Sequence, residues 1–106
     1  MYAMFSGCYT ITSLNLSTFN TKNVENMHDM FGFCHNLVSV NVLSFDTSKV
    51  KNMQGMFNRN YELKYLDLSS FNTSLVTNMN YLFEESKSLL YLNLYSFIIN
   101  QGTRTG

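Results

Sequence analysis

The chain has 106 residues, 45% hydrophobic and 13% charged, a composition that fits one folded domain and excludes a disordered segment. Seven basic and seven acidic residues give zero formal charge, so nothing steers the chain toward nucleic acid or anionic lipid. No apolar run approaches the roughly 20 residues that span a bilayer, the first five residues lack the pattern of a secretory signal, and two Cys do not define a disulfide framework.

The first clear element is "ITSLNLSTF" at 11–19, where Leu14-Asn15-Leu16 alternates apolar and polar and predicts a short strand with one buried face. Asn20 or Thr21 then stands where a helix cap would accept a bond from a free backbone N–H, and Glu25 suits the positive end of a helix. In "VENMHDMF" at 24–31, Val24, Met27, Met30 and Phe31 fall on a ~120° arc at about 100° per residue, which predicts a short helix. Gly7, Gly32 and Asn58 suit the helix exits.

The same elements return every 26 residues without insertions. Met4-Phe5 recurs as Met30-Phe31, Met56-Phe57 and Leu82-Phe83. Further apolar columns are Ile11, Leu37, Leu63 and Leu89; Leu14, Val40, Leu66 and Leu92; Leu16, Val42, Leu68 and Leu94; and Phe19, Phe45, Phe71 and Phe97. Val24, Val50 and Val76 repeat with Met27, Met53 and Met79, and every Met lies in one of two columns. Polar columns run alongside: Asn20, Asp46 and Asn72, then Thr21, Thr47 and Thr73, then Asn26, Asn52 and Asn78, which predicts repeated local hydrogen bonding.

One strand and one short helix cannot bury both apolar faces alone, but stacked units share them. The expected fold is therefore an α/β repeat: a right-handed solenoid of the leucine-rich-repeat type, with parallel strands on one face and short helices on the other. A doubly wound sheet also alternates strand and helix, but its successive units rarely match column by column. The array is expected over residues 1–97, about four units beginning inside a unit because Met1 is itself a column Met, with 98–106 as a tail or partial cap. No convincing polar cap opens the chain, so limited solubility or end-to-end self-association is expected.

The pattern Ile11-x-x-Leu14-x-Leu16 resembles the strand segment of leucine-rich repeats, with Phe19 where many carry Asn. More closely, "MFSGCYTITSLNLSTFNTKNVENM" at 4–27 resembles the unit of the BspA-like leucine-rich-repeat surface proteins, approximately Met-Phe-x-x-Cys-x-x-Leu-x-x-Leu-Asp-Leu-Ser-x-Phe-Asp-Thr-x-x-Val-x-x-Met. The resemblance covers residues 1 to 97 and departs at Asn60 and Ser86 in the Cys column and at Ile98-Ile99 in place of the Asn-Thr step. It implies a bacterial or protist cell-surface or secreted module, part of a longer array, associated with adhesion or host contact. Against the family pattern, no signal or wall anchor is read in these 106 residues, so the surface location is an expectation for the longer protein.

Cys8 and Cys34 hold equivalent positions in adjacent units. Units about 4.8 Å apart at the strands fall within disulfide reach, whereas parallel side chains further round favour buried thiols; both readings stand. His28 shares a column with Gln54 and Asn80, and His35 with Tyr61 and Lys87, which reads as surface variation. No ligand cluster has the spacing of a metal site and no nucleophile, base and acid recur together, so neither metal, cofactor nor catalysis is expected. The Met and Phe columns recur at core spacing and read as packing.

The outward strand positions are free to vary. They read Ser13, Asn15, Ser17; Ser39, Asn41, Leu43; Tyr65, Asp67, Ser69; and Tyr91, Asn93, Tyr95. Exposed Tyr beside Asn or Asp can stack on a sugar or fill a protein pocket, which makes Tyr65, Tyr91, Tyr95, Asp67 and Asn93 the candidate contacts for an unidentified cell-surface protein or glycan. The alternative is that Tyr merely suits an exposed strand position. A non-enzymatic adhesion or binding module is the leading expectation and a passive spacer the second.

Overall fold

A computed structural model describes residues 1–99 and 102–106. Four strands, β1 (Ser13–Asn15), β2 (Ser39–Asn41), β3 (Tyr65–Asp67) and β4 (Tyr91–Asn93), form one parallel sheet in chain order. Ser13 pairs with Ser39, Ser39 with Tyr65 and Tyr65 with Tyr91, so the 26-residue sequence period is also the sheet register.

The helices do not form. Among the described residues there is none, and the segments expected to be helical, beginning with 24–31, are runs of tight turns. Their hydrogen bonds give the reason. The N–H groups of Met27, Asp29, Phe31 and Phe33 donate to the carbonyls of Asn52, Gln54, Met56 and Asn58 in the next unit, at 2.7–2.9 Å. Those of Met30 and Gly32 turn back onto Met27 and Asp29 at 3.2 and 3.0 Å. Alternate donors therefore leave the unit, whereas an α-helix needs each one bonded four residues back.

Left-handed backbone interrupts every unit twice. Ala3, Asp29, Gly55 and Tyr81 form one column of positive φ, and Gly7, Phe33, Arg59 and Glu85 another, with φ between 51° and 74°. A positive φ at Asp29, third residue of the 27–30 turn, is the signature of a type II turn. A right-handed helix cannot continue through it.

The capping role expected of Thr21 is also replaced. Its hydroxyl donates to the Asp46 carbonyl at 3.1 Å and accepts the Asp46 N–H at 2.9 Å, reaching across to the next unit. Thr47 does the same with Asn72, and Thr73 with Ile98. Asn20, Asp46 and Asn72 instead close local turns by accepting the N–H two residues on. The Asn ladder is repeated bonding, as the polar columns predict: Asn26, Asn52, Asn78 and Arg104 bridge in parallel, and each Asn accepts an N–H two residues on.

Between the sheet and the Asn ladder lies the core. Met27, Met30, Met53, Met56, Phe31, Phe57, Leu37 and Leu63 are fully buried. Phe5, Phe31, Phe57 and Phe83 stack in a column at 5.6, 5.3 and 6.0 Å, and Phe45, Phe71 and Phe97 in another at 6.3 and 6.2 Å. Offset stacking of this kind adds to area burial. The radius of gyration, 12.5 Å, matches the ~13 Å of a compact chain of this length, so the columns form one continuous core.

At the C-terminal end, Met79 N–H donates to Arg104 C=O at 2.6 Å and Tyr81 N–H to Gly106 C=O at 3.1 Å. The tail expected over 98–106 includes residues 100 and 101, which lie outside the described residues.

Candidate functional site

The sheet's outward rows build the site. Parallel pairing aligns Ser13, Ser39, Tyr65 and Tyr91 in one row. Two residues on, Asn15 pairs with Asn41 and Asp67 with Asn93. A depression of about 420 Å³ runs across this face, lined among others by Ser39, Asn41, Leu43, Tyr65, Asp67 and Tyr91.

The five candidate residues divide by environment. Tyr65 and Tyr91 are each about half exposed, at 54% and 49%, and both line the depression. Tyr95, at 94%, stands almost wholly in solvent and outside the lining of the depression. Asp67 and Asn93 are half-buried, and each has a structural task. Asp67 Oδ1 accepts the Ser69 N–H at 2.9 Å and Asn93 Oδ1 the Tyr95 N–H at 2.9 Å.

Asn15 and Asn41 make the same bond to Ser17 and Leu43. This column terminates each strand in an Asx turn, the standard use of a short side-chain oxygen at a chain reversal. The Ser69 hydroxyl, and then its N–H, hold the Asp67 carboxyl below its ordinary value. Asp67 is therefore an anion at neutral pH, with one oxygen committed to the turn.

Leu43, 52% exposed and lining the depression, was not among the candidates because an apolar residue at an outward position carries no chemical signal in sequence. It lines the depression together with Tyr65 and Asp67, on the outward face where the 26-residue columns place it.

Of the two readings of the Cys pair, the buried thiol describes Cys34, while Cys8 is half-buried. Both thiols are free. Cys34 is buried, its Sγ donates to the Phe5 carbonyl at 3.1 Å, and burial pushes its thiol up from 9.0 to about 11. Asn60 Nδ2 donates to Phe31 C=O at 2.8 Å and Ser86 Oγ to Phe57 C=O at 3.0 Å. The column therefore requires a small donor that reaches back to the preceding unit, and Cys, Asn and Ser all supply one.

The histidines are half-buried and in ring contact. His28 Nε2 lies 3.2 Å from Asp29 Oδ2 and its ring is edge-on to Tyr2 at 4.9 Å. His35 sits between Tyr9 and Tyr61, at 4.9 Å from each. Among the described residues no three His, Cys, Asp or Glu side chains are grouped to hold a metal ion, and no helix is long and apolar enough to cross a membrane.

Residues 1–104 match a family model described as "Mycoplasma protein of unknown function, DUF285". No curated protein and no solved structure matches the chain.

Proposed function

The chain belongs to this DUF285 family, and from that premise we propose that it is a non-enzymatic binding module of a surface protein, which contacts a protein or glycan through its sheet face. In this reading the units are BspA-like leucine-rich repeats forming part of a right-handed solenoid, and adhesion is the activity. The observation that supports it is the row Ser13, Ser39, Tyr65, Tyr91: core and bridging columns keep their chemistry from unit to unit, while this row changes and borders a depression. Aromatic side chains with a polar tip bury large area at low entropic cost, which suits a contact surface.

The test is a binding screen against immobilised glycans and cell-surface proteins, repeated with Tyr65, Tyr91 and Tyr95 replaced by Ser. Loss of two such contacts at about 1–2 kcal/mol each predicts an affinity drop of about 30- to 1,000-fold with the fold retained. A partner bound equally by both proteins would refute the sheet-face assignment. A screen that stays empty for this chain and for neighbouring segments would favour the passive spacer.

A further inference from the structure

The column that ends each strand holds Asn15, Asn41, Asp67 and Asn93, and all four accept the N–H two residues on. Asn supplies the accepting oxygen in three of these four units, so the turn needs an oxygen and not a charge. The negative charge of Asp67 is therefore surplus to the fold. It is also the one charged side chain among the described residues that line the sheet-face depression.

Parallel register sets what stands around that charge. Tyr65 precedes Asp67 by two residues on the same face, about 6.6 Å back along β3, and Tyr91 lies beside Tyr65 on β4, about 4.8 Å across. β3 lies between β2 and β4, so this group belongs to the interior of the sheet. One oxygen of Asp67 takes the Ser69 N–H at 2.9 Å, and a carboxylate has room for further donors. Two half-exposed phenol rings beside an anion select a cation, because the ring face attracts positive charge within about 6 Å of its centre. Arg59 stands in this way over Phe33 within the chain itself, at 5.7 Å.

Of the cationic side chains, a guanidinium fits best. Its plane stacks on a ring while its edge donates to a carboxylate, whereas a compact ammonium is more strongly hydrated. On the β2 side the depression continues over Ser39, Asn41 and Leu43, which offers the residues flanking that cation both polar and apolar contacts. We propose that the partner of the sheet face is a protein segment that places an Arg side chain against Tyr65, Tyr91 and Asp67. This assignment rests on the sheet face being the contact surface, and it narrows the partner from protein or glycan to a protein with an exposed Arg.

Two-dimensional amide NMR of the isotope-labelled chain reads the contact residue by residue, during titration with acetyl-Gly-Arg-Gly-amide or its citrulline counterpart, which keeps the shape of Arg without its charge. The Arg peptide should give saturable shifts at Tyr65, Asp67, Ser69 and Tyr91. It should bind about 3- to 5-fold more tightly than the citrulline peptide, the size of an ion pair at a part-exposed site. Asp67→Asn keeps the turn and should abolish that difference, and Tyr65→Leu should weaken the Arg peptide by about 2- to 5-fold. High salt should erase the same difference in the parent, which reads the charge where circular dichroism shows Asp67→Asn misfolded.

Arg and citrulline peptides that shift the sheet-face amides equally, or maltotetraose that shifts them where the Arg peptide does not, would overturn the Arg assignment and leave the sheet face as the contact surface. An Arg peptide that shifts nothing overturns the Arg assignment alone, since the triple Tyr-to-Ser protein tests the sheet face separately. Arg-peptide shifts confined to residues away from the sheet would overturn both.

Discussion

Thr47→Val tests the inference that the buried Thr column, rather than any helix cap, ties the units together. Thr47 is 1% exposed, donates to Asn72 C=O at 2.9 Å and accepts Asn72 N–H at 2.8 Å. Valine has nearly the same volume, so the cavity contribution is small and the loss is polar. Two net hydrogen bonds at about 1 kcal/mol each give ~2 kcal/mol. Leaving the Asn72 amide groups unsatisfied next to the core raises this toward ~4 kcal/mol, tempered by water reaching the exposed Asn72. Against a total stability of about 5–15 kcal/mol for a domain of this size, that is a large fraction.

Urea unfolding followed by far-ultraviolet circular dichroism should show the midpoint falling by about 1–2.5 M, taking m as about 1.5–2 kcal/mol/M. Thr47→Ser keeps both bonds and loses one methyl, so it should cost only about 1 kcal/mol. The reasoning fails if Val is tolerated as well as Ser, or better.

Asn60 is fully buried, its Nδ2 bonded to Phe31 C=O and its Oδ1 without a partner. Asn60→Ser should therefore fall within about 1 kcal/mol of the parent, while Asn60→Leu, which orphans the carbonyl, should cost about 2–3 kcal/mol in the same urea assay. Cys34, raised to about 11 by burial, keeps its proton in the folded chain at a pH where the unfolded chain has lost it. Its contribution is fully present below about pH 9 and is lost as pH rises toward 11, because deprotonation favours the unfolded state there. Cys34→Ser should flatten that alkaline loss relative to the parent. In the native protein, iodoacetamide should alkylate Cys34 far more slowly at pH 8 than after unfolding.

The repeat period, the core columns and the strands were legible because each is a local regularity that recurs in linear sequence. Leu14, Val40, Leu66 and Leu92 all sit at strand centres, as their alternation predicts. The Tyr row could be read from the same alternation. The structure adds that Leu43, already in an outward column, shares one depression with Tyr65 and Tyr91.

The supposed helix failed for an identifiable reason. Apolar residues three and one apart satisfy a run of tight turns as well as a helical arc, and a period count cannot tell them apart. What separates them is the destination of alternate N–H groups, and that partner lies in the next unit. The Thr column was misread in the same way: its hydroxyls look local in sequence but bond 25 residues away. Sequence by itself thus determined what repeats and which side chains go inward, since burial follows local pattern. Tertiary structure alone decided how the backbone and the polar columns are satisfied, since their partners are brought near only by stacking.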